Sequence, residues 1–140
     1  MRLGDLRFTI WRFEIGRLDM NSEDLKKRTK NFALNIIKVV ENFSKNTTGF
    51  VIGKQIVKSA TSIGANYRSA CRAKSKADFI AKISIVEEEA DETLYWLELA
   101  GECGLIDENN LKDLLKEANE LVAIFTSTRK TAKSNNYKNG

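Results

Sequence analysis

The sequence predicts an all-α protein, an antiparallel up-down four-helix bundle. Three observations carry that expectation. Apolar residues recur every three or four positions along four stretches, the chain contains no proline, and the breaks between the stretches are short and rich in turn residues. With 140 residues it fits one domain, and a domain near this size buries roughly two-thirds of its unfolded surface.

Residues 1–19 stand apart from this pattern. Leu6, Phe8 and Ile10 alternate as in a strand, Trp11 and Phe13 follow, and no partner strand appears downstream. The segment is expected to be disordered or an over-extended reading frame ahead of Met20. A membrane-surface anchor is the alternative, but interspersed Arg and Asp leave it little apolar face. The bundle then spans residues 20–133.

The first helix is expected over 22–45, with Ser22 as N-cap and a stripe of Leu25, Thr29, Phe32, Ile36, Val39 and Phe43; Ala33, Ile37 and Val40 widen it enough to meet two neighbours. Asn46, Thr47, Thr48 and Gly49 form a turn in which Thr48 can cap the second helix, 49–72, with Ile52, Ile56, Ala60, Ile63 and Tyr67 inward. Gly53 and Gly64 cost about 1 kcal/mol each against alanine, so a close helix approach or some function should offset them. Ser75 and Asp78 then make a capping box for the third helix, 76–103, which repeats Phe79, Ile83, Val86, Ala90, Thr93, Leu97 and Ala100. Gly104 should close it in a left-handed cap with Leu105 folding back. Asp107 caps the fourth helix, whose stripe is Leu111, Leu114, Leu115, Ala118, Leu121, Val122 and Phe125. From about Lys130 the stripe is lost and the tail, 134–140, should fray.

Composition excludes several kinds of chemistry. The chain has no histidine, which removes His-based catalysis and histidine-metal centres together. Glu88, Glu89 and Glu92 share one turn of helix three, but a di-iron bundle needs Glu-x-x-His pairs and inward acids on other helices. Gly49, Gly53, Lys54 and Gln55 imitate a phosphate loop with one residue too few and no Ser or Thr for magnesium. No metal, cofactor or catalytic residue is expected. Cys71 and Cys103 lack metal-site spacing and are expected as reduced thiols filling small buried gaps. No apolar run approaches the length of a membrane span and no signal peptide is apparent, so a cytoplasmic location is expected.

The net charge of +4 conceals segregation along the chain. Residues 51–82 carry seven basic and one acidic side chain, and residues 83–120 two basic and twelve acidic. Lys54, Lys58, Arg68, Arg72, Lys74, Lys76 and Lys82 form a basic series on helix two and the start of helix three. One-turn spacing of Lys54 with Lys58, and of Arg68 with Arg72, suits a phosphate backbone. A solvated face, or ion pairs to acidic helix three, fits the same residues.

Residues 94–99 of helix three, Leu-Tyr-Trp-Leu-Glu-Leu, spread large apolar groups around the helix. One core cannot bury every side, so Ile85, Tyr95, Trp96 and Leu99 are expected at a subunit interface with Trp96 as aromatic anchor; a lone exposed tryptophan is the alternative.

The runs Ser62–Ala70 and Arg72–Phe79, together with Glu89–Thr93 and Tyr95–Leu99, resemble the 23S rRNA-intervening-sequence proteins over roughly residues 31–132. The resemblance implies an antiparallel four-helix bundle assembled into a ring, typically of five subunits, with no catalysis. It extends to the accessory protein of diversity-generating retroelements, a basic ring associated with nucleic acid, so rRNA or DNA is the implied partner beside the protein itself. Asn66 and Glu89 match recurring polar positions of the family, and Arg68 and Phe79 its commoner local variant. Ser69 departs from it, standing where many members carry glutamate. Asn66 and Glu89 are therefore expected in a structural polar network.

Overall fold

A computed structural model of the protein describes residues 21–138 and contains four helices in this span: α1 (Ser22–Val40), α2 (Thr47–Ala70), α3 (Lys76–Glu102) and α4 (Glu108–Lys138). The expectation for residues 1–19 lies outside the described residues, as do residues 139–140. Successive helices pack against one another as an up-down bundle, while α1 meets α4 only lightly.

Helix starts follow from side chains that reach back to orphan backbone N–H groups. Asn21, rather than Ser22, caps α1: its Oδ1 accepts from the Asp24 N–H at 2.9 Å, and the Asp24 carboxylate accepts from the Asn21 N–H at 3.3 Å. Asn46, rather than Thr48, caps α2 by accepting from the Gly49 N–H at 2.9 Å. The amide oxygens sit one and two residues earlier than the hydroxyls expected as caps; α1 still begins at Ser22 as expected, whereas α2 begins two residues early, at Thr47. At α3 the Ser75 hydroxyl accepts from the Asp78 N–H at 3.0 Å, but the Asp78 carboxylate returns to Lys74, not to Ser75. The Asp107 carboxylate accepts from the Asn110 N–H at 2.9 Å ahead of α4.

Two ends depart from expectation. α1 stops at Val40 rather than at residue 45, and residues 42–43 tighten into bonds three residues back, which still delivers Phe43 to the core. α4 does not lose its stripe at Lys130: Thr128, Thr131 and Ala132 are buried and the helix continues to Lys138. Two of those three are threonines, which present a methyl inward while the Thr128 hydroxyl returns 2.8 Å to the Ile124 carbonyl.

On α2 and α3 the core is the one the periodicities specify, whereas Val39 of the α1 stripe and Leu111, Leu115 and Val122 of the α4 stripe are half-buried and Ile124, outside the expected stripe, is buried. Every predicted stripe residue of α2 and α3 is buried, and Tyr67 and Phe125 fill the centre with ring centroids 5.6 Å apart. Gly53 and Gly64 face α1. A Cβ on Gly53 would stand 2.9 Å from Val40 Cγ1, and one on Gly64 3.1 Å from Thr29 Oγ1. Close approach of α1 thus accounts for two glycines inside a helix. Gly104, at φ 80°, ends α3 with the Leu105 N–H bonded to the Ala100 carbonyl at 2.9 Å, the predicted left-handed cap.

Candidate nucleic-acid interface

α2 contains no acidic residue, and its outer face is one line of exposed positions, Val51, Lys54, Lys58, Thr61, Ala65 and Arg68, with exposed Arg72 following at the same spacing in the turn just past the helix end. They fall alternately three and four apart, so they are the side of the helix opposite the buried stripe. Lys54, Lys58, Arg68 and Arg72 make no ion pair with any carboxylate among the described residues, and Lys74 extends their charge into the turn before α3.

The structure does not bring the whole basic series to that face. Lys82 lies half-buried on α3, paired with Asp78 at 2.9 Å. This pairing, with the Lys74 N–H, holds the Asp78 carboxyl below the usual carboxylate range. Lys76 departs further. Its Nζ is enclosed by protein and has no hydrogen-bond partner among the described residues, so it does not present its charge outward.

Across α2, the facing helix is acidic but does not neutralise it. Residues 83–102 hold seven carboxylates and no cation, and Lys58 is near enough to Glu89 only to act on it through space. Burial raises the Glu89 carboxyl above its ordinary range, helped by Glu92 and Glu88 and opposed by Lys58. No hydrogen bond joins Glu89 to Asn66 within the chain: the Asn66 amide donates to the Ser62 carbonyl of its own helix at 2.8 Å. The buried polar contact between these helices is made instead by Ser59 and Thr93.

The apolar surplus of α3 is outward and mixed with acids. Tyr95 is 56% and Ile85 41% exposed, while Trp96 and Leu99 are half-buried. Tyr95 meets Trp96 edge to face at 5.1 Å, and the Trp96 indole N–H donates to Glu92 at 3.3 Å. The most exposed ring of the patch is therefore Tyr95. Three further exposed apolar side chains escaped the sequence analysis: Phe50 at 60% and Val51 at 54% on α2, and Leu34 at 46% on α1. The signal was present, since Phe50 and Val51 fall outside the Ile52–Ile56 stripe.

Ion clusters tie the remaining helices. Arg28 of α1 binds Glu117 and Glu120 of α4, with Nε 2.8 Å from Glu117 Oε2. Glu87 of α3 accepts from Arg129 and, at 2.9 Å, from the Thr126 hydroxyl of α4. The two cysteines form no disulfide. Cys71 is half-buried, but Cys103 is exposed at the end of α3 and fills no buried gap, contrary to expectation. Among the described residues no three Cys, Asp or Glu side chains converge as a metal site, and no helix is long and apolar enough to cross a membrane.

The geometry can be set beside known proteins. No curated protein matches the chain. A crystal structure of a Bacteroides thetaiotaomicron protein of unknown function, from the S23 ribosomal protein family, superposes with a TM-score of 0.73 at 36% identity, covering 79% of this chain and 99% of that one. The family model for the 23S rRNA-intervening sequence protein matches residues 22–127, from the start of α1 to about two-thirds of the way along α4. The chain belongs to the 23S rRNA-intervening sequence protein family.

Proposed function

We propose that this protein works without catalysis as a cytoplasmic homo-oligomer, a ring of five on the pattern the family resemblance implies, holding the backbone of rRNA or DNA on the basic face of α2. One observation carries the reading. Lys54, Lys58, Arg68 and Arg72 remain exposed and unpaired although an acidic helix lies alongside. Four like charges along one acid-free stretch of α2 and the turn after it repel one another, and a polyanion that releases its counterions relieves that repulsion with a gain in entropy. From Lys54 to Arg68 the helical rise gives about 21 Å, the length of roughly six base-pair steps, and Arg72 follows just past the helix end. Lys74 continues the same track. Contacts of this kind read the backbone rather than the bases, so little sequence preference is expected.

The test is filter binding at low salt with a 23S rRNA fragment and with duplex DNA. Retention by the wild type, lost in Arg68→Ala/Arg72→Ala, supports the reading; absence of retention of either polymer overturns it. A second reading, assembly without nucleic acid, is favoured by the exposed Ile85 and Tyr95 among unpaired acids on α3. Light scattering that shows oligomers in a protein that retains neither polymer selects it.

A further inference from the structure

The exposed aromatic patch of α3 has a counterpart on the same molecule. Ile37 and Val40 of α1, Phe43 of the connection, and Phe50, Gly53 and Val57 of α2 line an open, mostly apolar groove. Gly53 forms part of it by lacking a side chain, and Phe50 stands over it at 60% exposure. Lys45 and Lys54 rim the groove against a single acid, Glu41. The α3 patch has the opposite rim. Around Ile85, Tyr95 and the half-buried Trp96 the exposed charges are Glu88, Asp91, Glu92 and Glu98, with no cation between residues 83 and 102.

We infer that the groove between α1 and α2 receives the Tyr95 patch of a second copy of this chain, in a head-to-tail contact. The inference rests on the homo-oligomeric part of the proposed function and adds to it the pair of faces that meet. An apolar knob with an acidic rim entering an apolar groove with a basic rim buries both uncovered surfaces and brings unpaired charges of opposite sign together. Meeting of the α3 patches face to face would instead crowd like charges.

The heights of the two surfaces bear on closure. The Ser59–Thr93 bond sets the antiparallel register of α2 and α3, and by equal rise per residue Val57 stands level with Tyr95 and Gly53 with Leu99. Tyr95 and the groove therefore lie at one level along the bundle axis, while Ile85 stands about 15 Å further along it. Joining them repeats the subunit by rotation about an axis parallel to the helices without a large translation, which a closed ring requires in addition to a rotation that divides the full turn. Docking also moves Lys54 from the open basic line to the rim of the contact. Lys58, Arg68, Arg72 and Lys74 are left for nucleic acid.

The experiment is sedimentation and native mass spectrometry of the wild type, Phe50→Glu, Tyr95→Glu and an equimolar mixture of the two variants, with helicity checked by circular dichroism. Both substitutions fall on exposed positions, and Phe50→Ser provides a milder groove variant. The wild type should assemble. Each variant alone should be monomeric, because one face of every contact is damaged. The mixture should give one-to-one heterodimers, since the intact Tyr95 patch of Phe50→Glu fits the intact groove of Tyr95→Glu, and these dimers cannot extend. Assembly of Phe50→Glu indistinguishable from the wild type, or a mixture that stays monomeric, overturns the pairing of faces and leaves the homo-oligomer standing. A monomeric wild type overturns both.

Discussion

Thr93 of α3 donates a hydrogen bond of 2.8 Å to the Ser59 hydroxyl of α2, with both residues buried. Ser59 in turn lies 3.2 Å from the Ile56 carbonyl, and the Thr93 oxygen 2.8 Å from the Glu89 carbonyl. A polar contact inside an otherwise apolar seam is satisfied in one register only. Slipping α3 by a residue against α2 would leave two hydroxyls to find other partners in the core.

Removing one partner should cost more than half of removing both. Ser59→Ala and Thr93→Val are each expected to lose about 1 kcal/mol, and the double variant less than the sum, because two apolar surfaces then meet. Urea unfolding of the four proteins checks this; strict additivity would mean the bond contributes nothing specific.

Acid should loosen the α3–α4 seam through Glu87. Arg129, with help from Thr126, holds the Glu87 carboxyl below its ordinary range. A carboxyl depressed in the folded state stabilises above the unfolded pKa, near 4.3, and that contribution is lost as pH falls through the folded value. Glu87→Gln should therefore cost about 1–2 kcal/mol at pH 7 and melt with a shallower decline below about pH 4 than the wild type. Equal declines would remove Glu87 from the acid response.

Glu89 should behave in the opposite sense. Burial and the neighbouring Glu92 raise its carboxyl in the fold, so its ionised form is disfavoured there. Stability from this group is highest while it is protonated and is lost as pH rises from the unfolded value through the folded one. Glu89→Gln is expected to raise Tm at pH 7 and to leave it unchanged where the wild-type carboxyl is protonated. A lower Tm at pH 7 would mean that the ionised carboxylate holds a structural contact after all.

Gly53 should resist enlargement. A methyl there would stand 2.9 Å from Val40 Cγ1, and valine in a helix has one strongly preferred χ1 well with which to yield. Gly53→Val is expected to destabilise by about 1–3 kcal/mol through overpacking. Thermal unfolding checks it, and a neutral result would show that α1 moves outward freely.

The interior of the bundle was legible in the sequence because burial and helical period are the same signal. Phe79 through Ala100 on α3 and Ile52 through Tyr67 on α2 are buried where the spacing puts them. Helix ends were less legible, since the amides of Asn21 and Asn46 compete with Ser22 and Thr48 for the same backbone N–H groups. The end of α4 was hidden by composition: Thr128 and Thr131 count as polar in a pattern but bury their methyls. Nothing periodic announces the Arg28–Glu117 or Arg129–Glu87 pairs, which join residues distant along the chain. The basic series was legible as charge but not as placement. Lys54, Lys58, Arg68 and Arg72 share a face because of their spacing, whereas Lys76 and Lys82 are drawn away by enclosure and by Asp78.

The most direct test of the account is the salt dependence of affinity for a short nucleic-acid duplex, followed by anisotropy for the wild type and for Arg68→Ala/Arg72→Ala. Each phosphate contact contributes roughly 0.9 to the slope of log affinity against log salt for B-form DNA. The account predicts a steep wild-type slope that flattens by about two contacts' worth in the double variant, uniformly across sequences. A wild-type affinity indifferent to salt, or a slope unchanged by loss of both arginines, would contradict it.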